Sequence, residues 1–196
     1  TKFDEAHGAQ RKLIDWALAV GRRESVLRRD GKPLPPLLAL SHRLATALVF
    51  KRFKARLGGR LRLPISGGAP LSPEIAEFFD TLGISIMEGY GLTECTTAAT
   101  TNQLSRYRFG TVGPRLPNTE VKLAEDGELL VRSPTVFQGY YKDPEATAAV
   151  LGEDGWLRTG DIAEISDDGF VTITDRKKDI IVTAGGKNVS PQNIEN

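Results

Sequence analysis

Sulfur and imidazole are scarce in this chain of 196 residues, which has one cysteine, one methionine and two histidines. A lone Cys95 excludes an intrachain disulfide framework and fits a reducing cytoplasm. His7 and His42 lie in no motif, so a cysteine–histidine hydrolase built around Cys95 is not expected. No apolar run approaches the roughly 20 residues that cross a bilayer. The opening Thr1-Lys2-Phe3-Asp4-Glu5 carries charge where a secretory leader would be apolar. Internal repeats and low-complexity tracts are absent as well.

Charge is balanced overall but unevenly placed. Residues 1–62 hold 15 Lys/Arg against 5 Asp/Glu, whereas residues 63–196 hold 11 against 20. A basic third of this kind can attract anionic ligands, nucleic acid or a membrane surface. Lys51-Arg52-Phe53-Lys54-Ala55-Arg56 equally has the spacing of a solvated amphipathic helix face. Nothing beyond charge points to nucleic acid, and peripheral membrane contact is the partner expectation that remains for this region.

What is present is a change of period along the chain. Leu13, Trp16, Ala17 and Val20, then Leu44, Leu48, Val49 and Phe53, recur at helical spacing, with Gly58-Gly59 as a stop. Three prolines at 33, 35 and 36 make the stretch between them a loop. Leu61, Leu63 and Ile65 alternate like a strand ending at Ser66-Gly67-Gly68-Ala69. Ser72 then caps a helix with Pro73 at its first position and Ile75, Phe78, Phe79 and Leu82 as its buried stripe. Ile84 and Ile86 open a second strand, giving a strand–helix–strand unit expected to be a right-handed parallel crossover. Trp16 and Trp156 are expected in the core.

Beyond Gly110 the pattern becomes that of short antiparallel strands. Val121–Leu123 and Leu129–Val131 flank Asp126-Gly127, and Ile162–Ile165 pairs with Phe170–Thr174 across Asp167-Asp168-Gly169. A short helix opens at Asp143-Pro144-Glu145. The expected fold is therefore α/β, a parallel βαβ portion followed by a small antiparallel β subdomain. The expected division is 1–108 for the helical and α/β part, 109–175 for the β subdomain, and 176–196 for a junction entering a further domain. A strand at Ile180-Ile181-Val182 and a Gly185-Gly186 turn so near the end are expected to belong to a domain cut short.

Ile86-Met87-Glu88-Gly89-Tyr90-Gly91-Leu92-Thr93-Glu94 carries the chemistry. Gly89 and Gly91 let backbone approach a ligand closely, Thr93 can donate to a phosphate oxygen, and Glu94 can hold a hard cation such as Mg²⁺. Taken alone the segment is equally a strand and an ordinary turn. Its expected place beside Gly67-Gly68-Ala69, at the carboxyl ends of neighbouring strands where open α/β sheets bind ligands, favours a nucleotide.

Four segments occur in order: Ser66-Gly67-Gly68-Ala69-Pro70, Gly89-Tyr90-Gly91-Leu92-Thr93-Glu94, Trp156-Leu157-Arg158-Thr159-Gly160-Asp161 and Asp175-Arg176-Lys177-Lys178-Asp179. With Gly139-Tyr140-Tyr141 and Gly185-Gly186-Lys187-Asn188, the chain resembles the acyl-adenylate-forming (AMP-binding) superfamily, nearest its long-chain fatty acid–CoA ligases. The resemblance covers about residue 56 onward. It implies that a fatty acid, ATP and CoA become acyl-CoA, AMP and pyrophosphate through an acyl-adenylate.

By that resemblance Gly67, Gly68, Ala69 and Pro70 line the adenine site, with Gly89, Gly91 and Leu92 beside them, and Tyr90 packs against the base. Thr93 binds the α-phosphate and Glu94 the Mg²⁺, the two residues in catalytic positions. Asp161 accepts from the ribose hydroxyls, Arg176 reaches the ribose, and Lys178 is the hinge. Gly185-Gly186-Lys187 shapes a thiol channel for CoA, and Gly89 leaves room for a long acyl chain. Read from the residues alone, Asp161 could instead cap a turn, and Arg176, Lys177 and Lys178 could be a solvated charge run.

The departures bear on activity. No loop rich in Ser, Thr and Gly for phosphate lies in residues 1–62, and Lys187 does not match the family's catalytic lysine. These 196 residues alone are expected to bind adenylate weakly and not to turn over. Two alternatives stay open: a fatty acyl-AMP ligase serving a carrier protein, and a nucleotide-binding module without catalysis.

Overall fold

A computed structural model of the chain describes residues 7–178 and the short antiparallel strand pair Ile181–Val182 and Asn188–Val189. The chain forms two compact units. One comprises residues up to Ser66, Pro70–Met87 and Gln103–Phe109; the other comprises Gly67–Ala69, Glu88–Asn102 and Gly110 onward. Among the described residues, no helix is long and apolar enough to cross a membrane.

The first unit is built on α1 (Ala9–Arg29) and α2 (Pro36–Ala45), which runs through a π-helical turn at Thr46–Phe50 into α3 (Lys51–Arg56). After β1 (Ile65–Ser66), Ser72 caps α4 (Pro73–Thr81), its hydroxyl accepting from the Ile75 N–H, with Pro73 in the first turn. This is the expected cap, and it satisfies a donor the helix start would leave free. Met87, opening β2 (Met87–Gly91), donates its N–H to the Pro64 carbonyl at 3.0 Å. The strand–helix–strand order read from the sequence is thus present as β1–α4–β2.

The helix faces are rotated from the expected ones. Ile14, Ala17, Val20, Ala45, Val49, Phe50 and Leu82 form the core, while Leu13, Trp16, Leu44, Leu48, Ile75 and Phe78 are substantially exposed. Small residues cause the rotation. At Gly21 a Cβ would stand 2.2 Å from the Thr81 carbonyl oxygen, so α1 meets the end of α4 at a distance only glycine permits. Trp16 is therefore a groove wall and not a core residue.

A buried carboxylate ties the same unit together. Asp80, fully buried on α4, accepts from Ser25 Oγ at 2.5 Å, Ser85 Oγ at 2.5 Å, Tyr107 Oη at 3.0 Å and Arg28 Nη2 at 3.1 Å. Three segments distant in sequence converge on one charge, which is tolerable there because it is fully hydrogen-bonded.

In the second unit β2 pairs antiparallel with β3 (Ala98–Thr101), Gly89 opposite Thr101 and Tyr90 opposite Thr100, with an irregularity at Gly91. Gly89-Tyr90-Gly91 is therefore strand, not the turn after a strand that the glycines suggested. At Gly91 a Cβ would lie 2.2 Å from the Thr97 carbonyl oxygen, and at Gly89 3.2 Å from that of Thr100. Gly91 is required by the pairing itself, and the space expected beside Gly89 for an acyl chain is taken by β3.

The rest is a five-stranded antiparallel sheet in the order β4 (Gly113–Pro114), β8 (Phe170–Arg176), β7 (Leu157–Ile165), β6 (Glu128–Arg132), β5 (Glu120–Leu123). Both expected Asp-Gly hairpins are present, and Asp143 caps α5 (Pro144–Val150), accepting from the Ala146 N–H at 2.9 Å. Leu129, Val131, Leu157 and Val171 form the core with Cys95 and Ala99. Trp156, expected inside, is half-buried, with Lys122 Nζ and Arg132 Cζ 4.2 and 4.7 Å from its ring centre.

Candidate functional site

The β7–β8 hairpin brings two of the sequence's polar candidates face to face. Asp161 stands opposite Arg176 in the ladder, and Arg176 Nε donates to Asp161 Oδ1 at 3.1 Å. From β2, Tyr90 Oη donates to Asp161 Oδ2 at 2.5 Å. The carboxylate is 6% exposed, so both oxygens are oriented by fixed donors while each keeps a lone pair for a further hydroxyl. Burial, and then this carboxylate accepting its hydroxyl proton, hold the Tyr90 phenol above the ordinary tyrosine range.

The backbone around Asp161 is fixed by a residue the sequence reading did not single out. Glu128, buried at the start of β6, accepts from the Gly160 N–H at 2.9 Å through Oε1 and from Lys177 Nζ at 2.9 Å through Oε2. Lys177 also reaches Asp126 at 2.6 Å and donates its N–H to the Gly160 carbonyl at 2.8 Å. Lys177 is thus no free member of a solvated run; it clamps β7 at Gly160, next to Asp161. A glutamate just past the Asp126-Gly127 turn, opening the apolar run Leu129-Leu130-Val131, was the available signal for its burial.

Glu94 lies in a single 3₁₀ turn, Thr93–Cys95, that follows β2 directly. Tyr140 Oη donates to Glu94 Oε1 at 2.7 Å, and the Phe137 N–H donates to the Glu94 carbonyl at 2.7 Å. Leu92, Glu94, Asp161, Arg176 and Lys178 line one cleft of about 810 Å³, together with Tyr140, Arg158, Glu128 and Lys177. That volume suits a nucleotide-sized ligand. Segments spread between Leu92 and Lys178 therefore meet at one place, mixing three carboxylates with four cations.

The other candidates are placed as follows. Gly67 abuts β2, its Cβ position 3.2 Å from the Gly89 carbonyl oxygen, and Gly68 adopts φ +82° with open space around it. Ala69 and Pro70 are exposed, and Thr93 is exposed beside Glu94 without lining the cleft. Gly185, Gly186 and Lys187 lie outside the described residues. Cys95 is buried against the β sheet, and burial, then Glu94, pushes its thiol up to about 11, so it is no nucleophile.

Whether this site can take a divalent cation is decided by its donors. Among the described residues, no group of three or more His, Cys, Asp or Glu is placed to hold a metal ion. Glu94 offers one carboxylate lining the cleft, with Oε1 taken by Tyr140, and exposed Thr93 precedes it in the chain. That set fits Mg²⁺, which is commonly held by one or two carboxylates with substrate phosphates completing its shell.

Comparisons with known proteins agree with this geometry. A family profile described as AMP-binding enzyme matches residues 34–141. Long-chain-fatty-acid–CoA ligase FadD15 of Mycobacterium bovis is 42% identical over 187 residues, which is 95% of this chain and 30% of that protein. Human long-chain-fatty-acid–CoA ligase 1 is 37% identical over 209 residues, 99% of this chain and 29% of that one. ATP-bound MatB from Rhodopseudomonas palustris superposes with a TM-score of 0.65 at 35% identity, over 78% of this chain and 33% of MatB. The chain thus spans about a third of the length of the curated relatives it matches.

Proposed function

Because the chain belongs to the AMP-binding enzyme family, we propose that it carries the adenylate-binding floor of an ATP-dependent long-chain fatty acid–CoA ligase. The carrying observation is the single cleft in which Glu94, Asp161, Arg176 and Lys178 meet. Fatty-acid specificity is taken from the named relatives.

In this reading a fatty acid carboxylate oxygen attacks the α-phosphorus of ATP. A new O–P bond forms, the bond to the β-phosphate breaks, and pyrophosphate leaves. A thiol sulfur then attacks the acyl carbonyl, the C–S bond forms, AMP leaves, and the thiol proton passes to solvent. Neither step needs a protein nucleophile; both need placement and charge neutralisation. Asp161, oriented by Tyr90 and Arg176, accepts from the ribose hydroxyls and fixes the nucleoside. Tyr90 packs against the base, with Gly67, Gly68, Ala69 and Pro70 at the adenine. Thr93 donates to the α-phosphate, and Glu94 holds Mg²⁺, which supplies positive charge to the phosphates when bound. Lys178, just past β8, is the hinge, with 109–175 as the β subdomain and 176–196 as the hinge and beginning of the C-terminal domain.

Glu94→Ala in the full-length protein is expected to lower fatty-acid-dependent ATP–pyrophosphate exchange by at least about a hundredfold, in the range that loss of one charge-stabilising group costs. Unchanged exchange would falsify the role given to Glu94. Peripheral membrane contact of the basic first third rests on its charge and on Leu37, Leu40 and Leu44, exposed on one side of α2. Co-sedimentation with anionic and not neutral vesicles is the expected result, and failure to sediment with either removes it.

A further inference from the structure

The segment 133–147 is laid over the turn that carries Glu94 by contacts the proposed chemistry does not use. Thr96 Oγ1 donates to the Thr135 carbonyl at 2.7 Å, and the Phe137 N–H to the Glu94 carbonyl at 2.7 Å. Tyr140 packs edge-on against Phe137, ring centres 4.9 Å apart at 80°. Its own N–H donates to Thr147 Oγ1 at 2.9 Å, and that hydroxyl donates in turn to the Asp143 carbonyl. Gly139 permits this fold-over, since it sits at φ +143° where a Cβ would stand 2.8 Å from the Thr147 side chain. Backbone, ring and neighbour all fix where the Tyr140 hydroxyl points, and it points at Glu94 Oε1 at 2.7 Å.

A hydroxyl held so firmly has little to do for stability. Tyr140 is 39% exposed, and a half-exposed hydroxyl–carboxylate bond exchanges with water at small net gain. Its effect on the carboxylate is larger. With Oε1 committed to that donor, the Glu94 carboxylate is restricted in its rotation where it lines the cleft. A hydrogen-bonded ligand carboxylate is the usual second layer of a metal site.

We propose that Tyr140 is a positioning residue that orients Glu94 for a divalent cation arriving with the nucleotide phosphates. This inference rests on the reading of Glu94 as the metal-holding carboxylate. The probe is Mn²⁺ with a non-hydrolysable ATP analogue, followed by electron paramagnetic resonance on the full-length protein. The variants are Tyr140→Phe, Glu94→Gln and the pair combined. Tyr140→Phe is expected to weaken Mn²⁺ binding about tenfold, within the ~10–100-fold range for such partners. Its spectrum should broaden, and its melting temperature should stay that of the parent.

Thr147→Val, which removes the anchor of the Tyr140 N–H and keeps the hydroxyl, is expected to give a smaller loss in the same direction. In the Glu94→Gln background Tyr140→Phe should change nothing further, the coupling expected of one unit. Parental Mn²⁺ affinity and spectrum in Tyr140→Phe, with Glu94→Gln strongly impaired, overturns the role of Tyr140 alone. Parental affinity in Glu94→Gln overturns the reading of Glu94 and this inference with it.

Discussion

Two residues of the second unit illustrate how surroundings decide chemistry. Cys95 follows Glu94 directly, yet it is buried and its thiol is pushed up to about 11. At pH 8 it should resist a thiol reagent in the native protein and react fully after denaturation; rapid native labelling would contradict its placement. Tyr90 has a folded-state pKa raised first by burial and then by Asp161. The neutral phenol is therefore the folded form, its contribution complete below about pH 10, the ordinary tyrosine value. That contribution is lost as pH rises through the raised value. Tyr107 and Tyr140 are raised as well, so ultraviolet titration should show a late tyrosine phase from which Tyr90→Phe removes one tyrosine's amplitude. If Tyr90→Phe leaves that amplitude unchanged, the hydroxyl does not sit on Asp161.

At the scale of elements, the junction of α1 and α4 depends on Asp80. Replacing it by alanine removes the acceptor of three hydroxyls and one of the two carboxylates paired with Arg28, and should cost about 3 kcal/mol, the low end for a broken buried pair because Arg28 is partly exposed and keeps Glu24. A urea transition with a lower midpoint and unchanged slope is the expected reading. The strand–helix–strand order, the Ser72 and Asp143 caps and both Asp-Gly hairpins were legible in the sequence because each is set by nearby residues. The helix faces were not. Periodicity weighs large side chains, whereas Ala17, Gly21, Ala45 and Ala76 make the contacts and turn Trp16 and Phe78 outward. Gly89-Tyr90-Gly91 read as a turn because two glycines punctuate a short apolar run; pairing with β3 overrides that local signal. In the site, Asp161 and Arg176 were legible as motifs and Tyr140 as part of Gly139-Tyr140-Tyr141, while the partners of Tyr140 and Glu128, 46 and 32 residues away, were not.

For the whole molecule, the chain covers about a third of its relatives, and the acceptor in the second half-reaction is what separates the proposed ligase from its rival. Thioester formation with CoA and not with a carrier protein's phosphopantetheine is expected of the full-length protein, and the reverse preference favours the carrier-serving enzyme. Both share the central claim, that Asp161 with Tyr90 and Arg176 receives the nucleoside of an adenylate. Equilibrium titration of AMP into the full-length protein and its Asp161→Asn variant tests this most directly, with thermal melting run alongside. Loss of a charged acceptor for the ribose hydroxyls should weaken AMP binding at least about tenfold, one to two such hydrogen bonds. An Asp161→Asn protein that melts with the parent and binds AMP with the parent's affinity would contradict the account.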